Sequence, residues 1–130
     1  MNAHSDPKSH IATLSITGFK SAQNILASWG CNSEQTKKIL GLTDNAFRKL
    51  KSASDSANLD KIQLERISHI LNIHSTLRSV FSNPKNVKNF MKMNNHNDFF
   101  KGLAPIEIIE SGDFIKLHET SIHINSLREN

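Results

Sequence analysis

The amino-acid sequence predicts an all-α protein, and three observations carry that prediction. Apolar residues recur three and four apart over much of residues 17–127, the period of one helix face. Ser, Thr, Asp or Pro precedes several of these runs and Gly follows them, as helix starts and stops require. Strand-like alternation of apolar and polar residues is weak everywhere.

Residues 1–16 are polar, interrupted by Pro7 and without a sustained period, so they read as a flexible N-terminal arm. From Thr17 the pattern is helical. Ile25, Leu26 and Trp29 share a face, and Gly30 stops the helix. Ser33 is the expected cap of a second helix, which carries Ile39 and Leu40 and ends at Gly41. Thr43 caps a third, with Asp44 at the positive end of its dipole and Phe47 and Leu50 as its buried face. The Ser/Ala/Asp loop "SASDSA" at 52–57 comes next.

The apolar pattern then runs from Leu59 to Phe81, long enough for one helix or two end to end. Asn83-Pro84 breaks it, because the residue before a proline is pushed out of the helical region. Val87, Phe90 and Met91 mark a further helix, and "NNHN" at 94–97 is a loop. Pro105 opens a short helix carrying Ile106, Ile108 and Ile109, which stops at Gly112. So short a helix cannot turn all three isoleucines inward, and at least one is expected at the surface or an interface. Asp113 caps the last helix, with Phe114, Leu117, Ile124 and Leu127 along its stripe. Trp29, Phe47, Phe81 and Phe90 are the expected aromatic core.

The totals narrow the function. At 130 residues the chain suits one compact domain, or two very small ones sharing a core. No apolar run approaches the roughly 20 residues that span a bilayer. "MNAHSDPKSH" lacks the apolar centre of a signal peptide, so a cytoplasmic protein is expected. Cys31 is the single cysteine, which suits a reducing compartment, and nothing beside it in sequence would activate it as a nucleophile. The net charge of +4 is unevenly spread: residues 1–92 hold 13 Lys/Arg against 6 Asp/Glu, and residues 98–130 hold 3 against 6. A split of +7 against −3 is what two surfaces with different partners would show, and equally what a solvated surface with uneven charge would show.

Enzymatic chemistry finds no support. There is no phosphate-cradling glycine loop and no nucleophile elbow. Glu107 and Glu110, three apart on an amphipathic helix, read as a solvated edge rather than an acid/base pair. His69 and His74 lie five apart, as do His118 and His123, a poor spacing for two ligands on one helix face. No enzyme, cofactor or metal is expected.

The segment with most chemistry is 33–51, "SEQTKKILGLTDNAFRKLK". Helix, glycine turn and helix, with Leu40, Leu42, Phe47 and Leu50 as anchors around Gly41, is the spacing of a helix-turn-helix. The anchors leave Thr43, Asn45, Arg48, Lys49 and Lys51 on or beside the front of the second helix, and Lys37 and Lys38 add charge on the first. Asn and Arg can read base edges bidentately, whereas lysines mostly neutralise phosphates. These seven are the candidate DNA-binding residues. Lys37 stands where a small residue usually lets the two helices approach, so its stem must either snorkel outward or widen the crossing.

Residues 17–127 resemble the Xre/MbcA/ParS family of bacterial antitoxins, known from RES-Xre toxin-antitoxin systems, in four segments. "LGLTDNAFRKLK" at 40–51 is similar to the family's recognition segment, "LERISHIL" at 64–71 to its Glu-Arg-apolar helix, and "VFSNPKNVKNFM" at 80–91 to its joining segment. "FKGLAPIEIIESG" at 100–112 resembles the Gly-x-Pro-apolar signature of the toxin-binding domain, the most specific of the four. The resemblance implies an Xre-like helix-turn-helix bundle over 17–82 and a small helical toxin-binding domain over 83–130. It further implies a homodimer that represses its own operon through operator DNA. The same chain would neutralise a cognate toxin, often a RES-domain protein that consumes NAD. Gly102, Pro105, Ile106, Ile109, Glu110, Asp113 and Phe114 are the toxin contacts it suggests. Two other readings compete: a helix-turn-helix regulator without a toxin partner, and a helical adaptor that never touches DNA.

Overall fold

The computed structural model describes residues 7–54 and 56–129, with side chains from Leu14 onward. Seven α-helices and a closing 3-10 turn account for the regular structure among them: α1 (Pro7–Ser28), α2 (Ser33–Leu40), α3 (Asp44–Lys51), α4 (Lys61–Val80), α5 (Pro84–Lys92), α6 (Pro105–Ile109), α7 (Phe114–Asn125) and the turn Ser126–Glu129. The all-α expectation holds.

Two local expectations are corrected. The first helix begins at Pro7, not near Thr17. Pro7 lies within that helix, and proline is tolerated in a first helical turn because its missing N–H is not needed there. Ser15 is fully buried and Ile16 packs against the core, so packing already begins inside the expected arm. The rest of that expectation, residues 1–6, lies outside the described residues. The second helix is capped by Asn32, not Ser33. Asn32 Oδ1 accepts from the Gln35 N–H at 2.8 Å, and Gln35 Oε1 accepts from the Asn32 N–H at 2.8 Å. This reciprocal box satisfies two backbone donors that a helix start leaves without partners.

The other caps agree with the sequence. Thr43 accepts from Ala46 N–H at 3.1 Å, and Asp113 from Lys116 N–H at 3.1 Å. Pro105 opens α6. The 59–81 pattern resolves as one helix, whose start is closed by a box between Asp60 and Gln63.

Helix α4 is the spine. It packs against α1, α2, α5 and α7 and the closing turn, while α3 leans on α1 and α6 lies between α5 and α7. One hydrophobic cluster runs through all of them, from Phe19, Leu26 and Trp29 through Ile70, Ile73 and Leu77 to Ile109, Leu117 and Ile124. Residues on both sides of position 82 therefore share one core. The expected aromatic set is only partly central. Trp29 is buried, and Phe47 is buried edge-on against Phe19 with ring centroids 5.6 Å apart. Phe81 and Phe90 form a half-buried pair 6.0 Å apart at the α4–α5 corner. Phe19 and Phe100 are deeper than either.

Candidate nucleic-acid interface and partner surface

The turn between α2 and α3 is made by Gly41, whose φ of +66° lies in the left-handed region that favours glycine. The carbonyl of Lys37 accepts from the Leu42 N–H at 2.8 Å and closes the end of α2. A side chain at Gly41 would also meet the Arg66 guanidinium, with Nε 3.0 Å from the added carbon. Beyond the turn, Phe47 and Leu50 are buried against α1, which fixes the rotation of α3.

That rotation leaves Asn45, Arg48 and Lys51 exposed, with Lys49 half-buried beside them. Arg48 Nη2 donates to Asn45 Oδ1 at 3.0 Å, so the two groups able to read bases lie side by side. Lys51 Nζ sits 5.2 Å from the centre of the Phe47 ring, holding its charge near the end of the helix. Thr43, Asn45 and Lys49 share a shallow depression with Ser56 and Asn58 from the loop after α3.

The two lysines of α2 behave differently. Lys37 is folded inward, its side chain only 15% exposed, and Nζ donates to Glu34 at 2.7 Å and Asp44 at 2.8 Å. The hydrogen bond to Asp44, followed by that to Glu34, raises the Lys37 pKa, and the same contact lowers that of Asp44. The stem that a small residue would have replaced thus lies by Phe47, with Nζ 5.7 Å from the ring centre. Lys38 lies against Gly112, on the side of α2 that meets the C-terminal helices. Neither lysine joins the front of α3.

The toxin contacts suggested by the resemblance also divide. Pro105, Ile106 and Ile109 are buried, Ile109 to 1% exposure, so they are core residues and present no surface to a partner. Among the three isoleucines only Ile108 is half-exposed, as the length of the helix required. Glu110 is half-buried and accepts from Gln35 Nε2 at 2.7 Å, a link back to the α2 cap. Asp113 is engaged as the α7 cap. Gly102 turns the chain at φ +87° beside His96. Phe114 is half-buried between Arg66 and His118.

The exposed apolar groups of this half lie elsewhere. Ile115, Ile122 and Leu103 are 62%, 53% and 47% exposed. Leu103 and Ile108 line a depression of about 450 Å³ with Phe99, Lys116 and Glu119. Ile115 and Ile122 fall on the same side of α7 as Glu119 by helical spacing.

Residues 17–72 match the family described as the antitoxin Xre-like helix-turn-helix domain. The chain carries an Xre-like antitoxin helix-turn-helix domain. A protein of Sinorhizobium fredii (strain NBRC 101917 / NGR234), "uncharacterized protein y4oB", is 26% identical over 101 residues, spanning 77% of this chain and 75% of the relative. No solved structure matches. The Xre-like domain runs from within α1 into α4, so it contains the basic front of α3 and Arg66.

Arg66 was missed by sequence reasoning. Its Nη1 donates to Ile39 O and Gly112 O, each at 3.0 Å, which ties the Xre-like domain to the turn before α7. Its place in "LERISHIL" was visible, but its partners lie 27 and 46 positions away. The histidines were read within single helices, and their cross-helix pairing escaped for the same reason.

Proposed function

We propose that this protein is a toxin-antitoxin antitoxin that represses its own operon through the Xre-like domain and neutralises a cognate toxin through its C-terminal helices. The observation that carries the first half is the front of α3, where Arg48 and Asn45 stand exposed and hydrogen-bonded to each other inside a domain matching the antitoxin type. A homodimer presenting two copies of α3 fits DNA with two half-sites. The second half draws support from the acidic balance of residues 98–130 and from the exposed Leu103, Ile115 and Ile122. An exposed apolar patch with a charged rim is the kind of surface that partner proteins cover. A RES-domain enzyme that consumes NAD is the toxin class that the family resemblance suggests.

The test is co-expression with the product of the neighbouring gene. Growth, cellular NAD and co-purification are read together, alongside binding to the upstream DNA at several salt concentrations. Restored growth and a stable complex are expected, with DNA affinity falling steeply as salt rises. DNA binding without any effect on the neighbouring product would leave a helix-turn-helix regulator. A complex without salt-sensitive DNA binding would leave an adaptor.

A further inference from the structure

We propose that His69 and His118 form a binding seat for a divalent transition-metal ion such as Zn²⁺, clamping α4 to α7. His69 projects from α4 and His118 from α7, and His69 Nε2 lies 3.3 Å from His118 Nδ1. Two nitrogens bound to one tetrahedral Zn²⁺ at 2.0–2.1 Å each stand about 3.4 Å apart, so the separation already matches a shared ion. The ring planes are inclined at 57°. In the metal-free state one ring donates its N–H to the other. Metal binding requires the donor ring to carry its proton on its other nitrogen, after which both lone pairs face the ion.

The surroundings leave the pair open to an ion. His118 is exposed, giving entry from solvent, while His69 is half-buried and held in place. Phe114 backs the pair, parallel to His118 within 11° and 5.8 Å from the His69 ring. Glu65, one turn before His69, lines the same depression as both histidines and places a carboxylate beside them. The nearby Arg66 guanidinium is committed to two backbone carbonyls and the Phe114 ring. Among the described residues no third ligating side chain converges on the point, so water fills the remaining positions. Imidazole pairs of this kind select Zn²⁺, Cu²⁺ or Ni²⁺ over Mg²⁺ or Ca²⁺.

The inference does not depend on the antitoxin reading. Its test uses the untagged full chain, titrated with Zn²⁺ by calorimetry and melted with and without the ion. One ion per chain and a raised melting temperature are expected. Loss of outer-sphere partners alone typically weakens metal sites about 10–100-fold, so His118→Gln, which removes an exposed direct ligand, should cost at least as much. His69→Gln should do the same, and His123→Gln should change nothing. Equal Zn²⁺ affinity in His118→Gln and wild type, or a melting temperature unmoved by saturating Zn²⁺, would overturn the proposal.

Discussion

Arg66 Nη1 donates to the carbonyl oxygen of Gly112 at 3.0 Å, and to that of Ile39 at the same distance. The guanidinium stands over the Phe114 ring, 5.7 Å from its centre. One side chain from α4 therefore satisfies the end of α2 and the turn into α7 together. Hydrogen bonds to charged groups contribute about 1.5–3 kcal/mol each, and a half-buried carbonyl left without a donor costs further. Arg66→Ala should destabilise the protein by about 2–4 kcal/mol in urea unfolding. Arg66→Lys should recover little, because the shorter side chain and compact ammonium cannot reach both carbonyls and also lie flat on the Phe114 ring. Unfolding midpoints equal to wild type in both variants would show that the bridge contributes nothing.

Gly112 has its own constraint. Its φ is +78°, and a β-carbon there would lie 2.9 Å from Lys38 Cγ and 3.2 Å from the Lys38 carbonyl oxygen. The left-handed conformation alone costs a non-glycine residue about 1–2 kcal/mol. Gly112→Ala should lose at least that much stability. Adding Lys38→Ala should restore only part, since the backbone oxygen stays in place.

On the DNA side, Arg48→Ala with Lys49→Ala should remove specific operator binding and leave the circular-dichroism spectrum and melting curve intact. Each direct base contact is worth about 1–3 kcal/mol of discrimination. Lys37→Ala should have a much smaller effect on affinity, because its ammonium is already engaged by Glu34 and Asp44. A Lys37→Ala protein that loses operator binding as completely as the double variant would contradict this division.

Ile109 and Ile122 should separate folding from partner binding. Ile109 is buried, so Ile109→Asp should unfold the protein, as a buried unpaired carboxylate does. Ile122 is 53% exposed, and Ile122→Asp should stay within about 0.5 kcal/mol of wild-type stability while releasing toxin activity in cells. Full protection of cells by Ile122→Asp together with Ile115→Asp would place the toxin contact elsewhere.

Cys31 should be unreactive. Burial, then the charge of Glu110, pushes its thiol from 9.0 up to about 11, against a smaller opposing effect of Lys92. Since the thiolate is the reacting species, modification at pH 8 should be roughly a hundredfold slower than for the unfolded chain. The raised pKa also means that the folded form holds its proton more tightly. Its contribution to stability is complete below pH 9 and is lost as the pH rises toward 11. Equal thiol-modification rates in native and urea-unfolded protein would refute the assignment.

The sequence by itself determined the helical class, the breaks at Gly30, Gly41, Asn83-Pro84 and Gly112, the caps at Thr43 and Asp113, and the basic front of α3. These signals are local. A cap bonds to a backbone group two or three residues ahead, and a proline or glycine acts on its own dihedral angles. It misjudged residues 7–16, because a proline is tolerated in a first helical turn as well as breaking a helix, and the packing of Ser15 and Ile16 against the core lies outside any local pattern. Only the tertiary structure decided which isoleucines of α6 point inward, that Lys37 turns in and Lys38 faces Gly112, and that Glu110 answers to Gln35. It also joined His69 to His118 and Arg66 to Gly112. A helical period shows that one face is apolar, but which neighbour covers that face depends on how α4, α6 and α7 cross. That crossing is settled by packing between residues up to 75 positions apart, a distance at which no local pattern operates.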